Sequence, residues 1–226
     1  MLAPFAQRTA KAPLVGQSFT QGVKAVSDKP YPVITEDERV TRMYALGEPA
    51  EAHRFLAPLI GEWNVVLNMY PGGDAVVTSE GLKARKELIL DGRQIFEEIY
   101  DGTIAGWPHR KVTMLGYNAI NQRYEFVTAD NFDTQQMVYR GIRDETSGTI
   151  TMIGDYTQAA FAEIVSGDEL SRSTGKPSSW RSIVGIQMTI RDVLSIPSAD
   201  DHRLQMYFRP ATGDEVLGAE YIYRRA

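Results

Sequence analysis

Two carboxylates and one tyrosine are the side chains in this sequence that could carry out acid–base chemistry. Asp130 ends the run 124–130, in which aromatic residues share its strand face, and Glu98 has the same setting in the run 94–100. Tyr117 lies between the two runs. A carboxylate at the mouth of an apolar cavity is partly desolvated, which raises its pKa and suits it to proton transfer beside a phenol. The alternative for Asp130 is a carboxylate that caps a turn.

The same strand faces would line a ligand pocket. If Trp63 points into the fold, strand alternation turns Leu67 inward as well. The predicted ligand-binding residues are Leu67, Glu98, Tyr117, Phe126, Thr128, Asp130 and Trp180. Trp180 belongs to the serine-rich segment 166–182, which breaks the rhythm of strands and turns. A segment of this length and composition is either a lid over a pocket or a disordered surface excursion.

Metal and cofactor chemistry is not expected from the residue types. The chain has no cysteine, and its three histidines are scattered at His53, His109 and His202. Soft and borderline metals need clustered nitrogen or sulfur ligands, so we predict no metal site and no cofactor, haem included. His109 and His202 adjoin turn residues and are predicted to be exposed. No Gly-x-Ser-x-Gly hydrolase motif and no glycine-rich nucleotide fingerprint is present.

Composition and charge narrow the classes of partner. The chain has 226 residues, with 24 lysines and arginines against 29 aspartates and glutamates, for a formal charge of −5. A net negative charge argues against binding to a phosphate backbone. The longest stretch without a charged side chain, 12–23, is shorter than the ~20 apolar residues of a spanning helix, and no signal peptide is recognisable. We expect a cytoplasmic protein that binds neither nucleic acid nor membrane.

The chain divides into an arm and a body. Residues 1–48 contain four prolines and no long periodic pattern, which predicts a partly extended arm that could also pair two copies into a homodimer. Within the arm, the apolar spacing predicts a short helix at 36–46 with Thr35 as its N-cap. Residues 49–226 form the predicted body, which begins with a helix over 49–60.

After residue 60 the apolar period changes to two. About ten short runs with alternating apolar residues follow one another, separated by turn residues such as Asp91-Gly92. One of these runs, 76–90, is predicted to be a single long strand. Sequential hairpins predict an all-β, antiparallel, up-and-down barrel of about 8–10 strands, because closure removes exposed strand edges. On the strand over 183–196, Arg191 falls on the polar face and is predicted to be exposed or in a surface ion pair.

Several short motifs occur in the order typical of one protein family. They are His53-Arg54-Phe55-Leu56, Leu59-Ile60-Gly61-Glu62-Trp63, Leu90-Asp91-Gly92-Arg93, Leu115-Gly116-Tyr117-Asn118, the run 124–130 and Tyr221-Ile222-Tyr223-Arg224. The Gly-x-Trp element resembles that of lipocalins and other calycins, and the whole set resembles the bacterial calycin-like family of domain of unknown function 1579. The resemblance covers about residues 50–226 and departs from the family at Thr128, where a tryptophan is common.

The resemblance implies a lipocalin-like barrel with a central cavity, but no established reaction. It implies that Trp63 plugs the closed end of the barrel and that Arg224 packs across its ring. The function we expect is binding of a small, largely apolar molecule in the cavity. The alternatives are a cofactor-independent isomerase or cyclase that uses Asp130, Glu98 and Tyr117, and an assembly protein that forms a homo-oligomer through its arm.

Overall fold

The computed structural model describes residues 35–72, 75–132, 134–158, 186–211 and 213–226. The part of the predicted arm before residue 35, the segment 166–182 and Trp180 lie outside these ranges, so the predictions made for them stay predictions. Among the described residues, no helix is both long enough and apolar enough to cross a membrane.

Two short helical segments precede the strands. Helix α1 (Glu36–Gly47) begins at a capping box in which Thr35 and Glu38 each bond the other's backbone N–H, as the predicted N-cap requires. None of its residues is buried. The helix predicted over 49–60 is instead a single turn, α2 (Glu51–Arg54), and a 3₁₀ turn (Ala57–Leu59). Pro58 has no N–H to donate to an α-helix, which is why the chain tightens into a 3₁₀ turn there.

Thirteen strands make up the rest of the described chain. They are β1 (Gly61–Gly72), β2 (Ala75–Thr78), β3 (Leu82–Ile89), β4 (Gln94–Tyr100), β5 (Thr103–Ile104), β6 (Trp107–Pro108), β7 (Lys111–Asn118), β8 (Arg123–Asp130), β9 (Met137–Arg143), β10 (Ile150–Gln158), β11 (Ile186–Ser195), β12 (Asp201–Pro210) and β13 (Val216–Arg225). Every pairing between them is antiparallel.

Ten of these strands form a closed barrel, which confirms the predicted fold class. The order is β1-β3-β4-β7-β8-β9-β10-β11-β12-β13, and β13 pairs back onto β1. The predicted long strand over 76–90 is wrong, because β2 and β3 are separate strands. The chain turns between them at Ser79, whose hydroxyl accepts the Leu67 N–H in place of a backbone carbonyl, and at Gly81, which has φ +69°.

The helical segments close one end of the barrel, called the helical end below. Leu56 and Leu59 are buried there, and the Trp63 indole N–H donates to the Leu59 carbonyl at 2.9 Å. Trp63 therefore plugs this end, as predicted. The stacked arginine is Arg225 rather than Arg224, with its guanidinium carbon 4.0 Å from the centre of the indole ring. The strand register explains why the stacked residue is Arg225, because Trp63 lies directly opposite Arg225 across the β1–β13 pair.

Candidate functional site

The barrel interior is not purely apolar. Four charged side chains on inward strand positions are almost fully buried: Lys86, Glu97, Lys111 and Asp192. Buried charges are costly unless they are paired, so each must be balanced by a neighbour. They fall into two groups, named here the Lys86 cluster (Lys86, Glu97, His202 and Tyr223) and the Lys111 cluster (Lys111, Asp192, Tyr221 and Tyr139).

The Lys86 cluster lies beside Trp63 at the helical end. The Lys86 ammonium is 3.2 Å from the Glu97 carboxylate, 2.7 Å from His202 Nε2 and 3.9 Å from the centre of the Tyr223 ring. An ammonium can only donate, so His202 accepts through Nε2 and carries its proton on Nδ1. The His202 ring also stacks on Tyr223 and meets Trp63 edge-on. The cluster is thus packed around the Lys86 ammonium.

Electrostatics keep this cluster in one protonation state. Burial lowers the pKa of His202, and the charges of Lys86 and Arg225 lower it further, so the imidazole is neutral. Burial alone would raise the pKa of Glu97, but the ammonium groups of Lys86 and Lys111 hold it below its ordinary value. Glu97 is therefore ionised at neutral pH and is the counter-ion that Lys86 requires.

A small cavity lies next to this cluster. Its volume is about 20 Å³, and Glu97, Thr113 and Tyr223 are among the residues that line it. That volume is enough for about one water molecule with polar partners. The interior near the helical end is therefore filled by side chains, with no room for a larger ligand in this cavity.

The contacts within the Lys111 cluster differ from those within the Lys86 cluster. The Lys111 ammonium lies 4.1 Å from the centre of the Tyr221 ring, and the Tyr139 hydroxyl contacts Met137 Sδ at 3.2 Å. Asp192 has 0% of its surface exposed, and within the described ranges neither of its carboxylate oxygens has a hydrogen-bond partner. A buried acceptor without a donor costs ~1–3 kcal/mol, so the Asp192 carboxyl is a destabilising group in the interior.

In the Lys111 cluster, the pKa values of both charged groups are raised above their ordinary values. Burial alone would lower the pKa of Lys111, but Tyr221 and the surrounding carboxylates raise it above its ordinary value. Burial raises the pKa of Asp192 to about 7, and Lys111 offsets only part of that shift. Lys111 is therefore a permanent cation, whereas Asp192 changes its protonation state near neutral pH.

Apolar side chains beyond this cluster are only partly covered. Met69, Val77, Tyr156 and Phe208 pack against the core from the barrel end opposite the helical end, called the far end below, and are half-buried in the described structure. The Tyr156 and Phe208 rings meet edge-on at 6.2 Å. The Lys111 cluster thus lies below an apolar rim, named here the far rim.

The comparisons with known proteins agree with the family indicated by the sequence. A family model described as "Protein of unknown function (DUF1579)" matches residues 48–225. The chain belongs to this family. No curated protein matches the sequence. A solved structure described as the crystal structure of Rv2717c from M. tuberculosis is similar at 12% identity and a TM-score of 0.48, over 79% of this chain and 99% of that one.

In this DUF1579 member, the prediction that Glu98 faces inward from β4 is wrong. Glu98 lies on the outer face, in ion pairs with Arg85 at 3.6 Å and Arg110 at 3.0 Å. Glu97 faces inward instead, because the buried positions of β4 are those of Ile95 and its alternate neighbours. Glu98 is therefore not part of the interior.

The predicted pairing of Tyr117 with a carboxylate is also absent. Tyr117 lies at the helical end, with its ring 5.1 Å from Tyr124 and 5.7 Å from His53. Asp130 lies at the other end of the same hairpin, opposite Lys111, and its carboxylate caps a turn by accepting the Phe132 N–H at 2.9 Å. Six strand positions separate the two ends, or about 20 Å, so Tyr117 and Asp130 cannot share a proton.

Three other predicted residues do face the interior. Leu67, Phe126 and Thr128 are all buried. The Thr128 hydroxyl donates to the Val112 carbonyl at 3.1 Å and contacts the Thr113 hydroxyl, so its hydrogen-bonding capacity is used within the barrel wall. Arg191 lies in the predicted surface ion pair, with Glu215.

The prediction that His109 and His202 are exposed is wrong. Both rings are buried, and His109 stacks on Phe132 at 4.7 Å between ring centres. Burial lowers the pKa of His109 to about 4, so it is neutral at physiological pH. In the part of the chain that the structure describes, no group of three or more histidine, cysteine, aspartate or glutamate residues is placed to hold a metal ion.

Sequence reasoning missed Asp192, although a signal for it was present. Asp192 alternates with Ile190 and Leu194, on the strand face that the apolar pattern marks as core. Lys86 similarly shares its face with Ala84 and Leu82. A charged residue on an apolar strand face is therefore the pattern that would have indicated both clusters.

Proposed function

We propose that this protein binds a small, largely apolar molecule that carries a neutral oxygen group, held at the Lys111 cluster with its apolar part against the far rim. The observation that supports the proposal most is Asp192, a fully buried carboxyl with no hydrogen-bond partner among the described residues. A ligand that donates a hydrogen bond to this carboxyl would remove the cost of leaving it unsatisfied.

The charges of the cluster favour a neutral polar group over an ionic one. A ligand carboxylate would be attracted by Lys111 but repelled by ionised Asp192. A ligand ammonium group would be attracted by ionised Asp192 but repelled by Lys111. A hydroxyl group can donate to Asp192 and accept from Lys111 at the same time. A carbonyl oxygen can accept from Lys111 and from protonated Asp192, since burial raises the pKa of that carboxyl to about 7.

The remaining surfaces favour the far rim as the place for the apolar part of the ligand. The cavity of about 20 Å³ beside the Lys86 cluster cannot hold a chain of several carbons. The far rim, by contrast, offers thioether and aromatic surface from Met69, Tyr156 and Phe208 that is only half-buried. Burial of about 25 cal/mol per Å² of apolar surface would favour a ligand tail there.

Three probes that share an eight-carbon chain and differ in the polar group test the proposal. They are 1-octanol, octanoate and octylammonium, with affinities measured by ligand-observed NMR at pH 7.5. We expect 1-octanol to bind about tenfold more tightly than either ion, because only the alcohol matches both Asp192 and Lys111. Asp192→Leu should lower the 1-octanol affinity by a similar factor. The matched control is Asp155→Asn, which changes an exposed carboxylate on β10. Equal binding of the three probes, or no binding of 1-octanol, would contradict the proposal.

A second candidate function, acid–base catalysis at the same site, is favoured by the pKa of Asp192. A carboxylate that titrates near 7 can accept a proton from the carbon beside a ligand carbonyl, while the Lys111 ammonium stabilises the enolate oxygen and the proton returns to carbon afterwards. The probe is 2-octanone in D₂O. We expect deuterium to enter the positions beside the carbonyl about tenfold faster than in buffer, and not with Asp192→Asn. Binding of 2-octanone without faster exchange would exclude catalysis and leave the binding function.

A further inference from the structure

Two polar atoms of the Lys86 cluster are buried without a hydrogen-bond partner among the described residues. They are Glu97 Oε1 and the hydroxyl oxygen of Tyr223. Glu97 Oε1 lies 3.2 Å from the Lys86 ammonium, but this ion pair does not have hydrogen-bond geometry. Neither atom is accessible from the protein surface. Each of them therefore destabilises the fold unless another molecule bonds to it.

Both atoms belong to residues that border the same cavity, the one of about 20 Å³ beside the Lys86 cluster. Thr113 lies on its wall as well, and the rest of the lining is apolar apart from Lys86, whose ammonium contacts Glu97 and His202. The three polar groups come from β4, β7 and β13, and β13 is a neighbour of neither β4 nor β7 in the barrel. Polar groups from opposite walls of the barrel thus meet at this cavity.

The hydrogen bonds around the cavity define which groups donate and which accept. The Thr113 hydroxyl donates to the Thr128 hydroxyl oxygen at 3.3 Å, and Thr128 in turn donates to the Val112 carbonyl at 3.1 Å. Thr113 therefore offers only its lone pairs to the cavity, as does the carboxylate of Glu97. Burial and the Glu97 charge raise the pKa of Tyr223, so its phenol keeps its proton and donates. These three groups supply one donor and two acceptors.

We propose that this cavity is a binding site for one water molecule, which accepts a hydrogen bond from the Tyr223 hydroxyl and donates to the Glu97 carboxylate and the Thr113 hydroxyl oxygen. Buried water molecules typically make about three hydrogen bonds, and a cavity of about 10–15 Å³ is enough to hold one. The cavity meets both conditions. The water removes the cost of both unsatisfied atoms and links β4, β7 and β13 through the interior of the barrel.

The charges beside the cavity favour a neutral molecule over an ion. Lys86 and Glu97 balance each other, so a cation in the cavity would be repelled by Lys86 and an anion by Glu97. Calcium and magnesium ions take six or more oxygen ligands, which these three groups cannot supply. The water site lies at the helical end and does not depend on the ligand proposed for the Lys111 cluster.

A crystal structure of the full-length chain, at a resolution that shows ordered water, tests the proposal directly. We expect one density peak in the cavity, within hydrogen-bond distance of Glu97, Thr113 and Tyr223. In solution, magnetic relaxation dispersion of water deuterons counts the long-lived internal water molecules. Thr113→Ile should lower this count by one, because the larger side chain fills the cavity. The matched control is Thr151→Ile, at an outward position of β10, which should leave the count unchanged.

Three results would overturn the proposal. The first is a crystal structure in which Tyr223 bonds directly to Glu97 and the cavity shows no density. The second is a peak with several contacts of about 2.6 Å or less, which would identify a metal ion. The third is an unchanged deuteron count in a folded Thr113→Ile variant. Circular dichroism shows whether that variant is folded, and if it is not, the crystal structure of the parent protein decides.

Discussion

Replacing Asp192 with asparagine should change how the stability of the protein depends on pH, by about 4 kcal/mol between pH 4 and pH 8. Burial raises the pKa of Asp192 from 3.8 to about 7 in the folded protein. Between these two values the folded state keeps a proton that the unfolded state releases, so the free energy of unfolding falls as the pH rises and levels off above about 7. A difference of about three pKa units corresponds to about 4 kcal/mol. Asparagine does not titrate, so the stability of the variant does not fall with pH in this way.

The measurement is urea unfolding of both proteins at a series of pH values. The difference in unfolding free energy, variant minus parent, should increase steadily from pH 4 to pH 7 in favour of Asp192→Asn and stay constant above. Asp155→Asn, at an exposed position on the neighbouring strand β10, should give a nearly flat difference. A flat difference for Asp192→Asn would show that this carboxyl is solvated or paired, and would remove the main support for the proposed ligand site.

The unfolding free energies of two proteins must be compared because the titration of His109 changes the stability with pH in the opposite direction. Burial lowers the pKa of His109 to about 4, so the folded state excludes a proton that the unfolded state binds below pH 6.5. This contribution raises the stability as the pH increases from 4 to 6.5 and partly hides the effect of Asp192 in the parent protein. It is common to parent and variant, so it cancels in the difference.

The fold followed from the sequence because strand alternation is a local signal. Every inward position of β1 from Trp63 to Leu67 is apolar and buried, and turn residues such as Asp91-Gly92 separate the strands. The choice between Glu97 and Glu98 failed because β4 is apolar on both faces. Phe96 shares a face with Glu98, and that face lies on the outside of the barrel, where Phe96 is opposite Met114, rather than in the core. Periodicity cannot choose between two strand faces that both carry apolar residues.

The polar clusters could not be predicted because their members are far apart in the sequence. Lys111 and Asp192 lie on β7 and β11, which are not neighbours in the barrel and meet only through its interior. Lys86 and Glu97 do lie opposite each other on neighbouring strands, but that requires the β3–β4 register. A shift of one residue in that register would have turned one of the two charges outward.

Glu97→Gln should lower the free energy of unfolding by about 3–5 kcal/mol, because it leaves the Lys86 ammonium buried without its counter-ion. Lys86 has only 6% of its side chain exposed, and Glu97 is the only carboxylate within ion-pair distance of it in the described ranges. The neighbouring Glu98→Gln variant is the matched control, since it breaks only partly exposed ion pairs. Its expected cost is about 0–1 kcal/mol. Equal costs for the two variants would show that Glu97 is not the inward carboxylate.

A double-mutant cycle separates the pair from the packing around it. Lys86→Met alone leaves Glu97 as an unpaired buried carboxylate, so it should also cost about 3–5 kcal/mol. Lys86→Met combined with Glu97→Gln removes both charges, and the double variant should be more stable than either single variant, with a coupling energy of about 2 kcal/mol or more. His202 loses its donor in both variants that lack Lys86, so that loss cancels along one side of the cycle. Additive costs would instead mean that the two charges are balanced by other groups, and that the Lys86 cluster does not act as one unit.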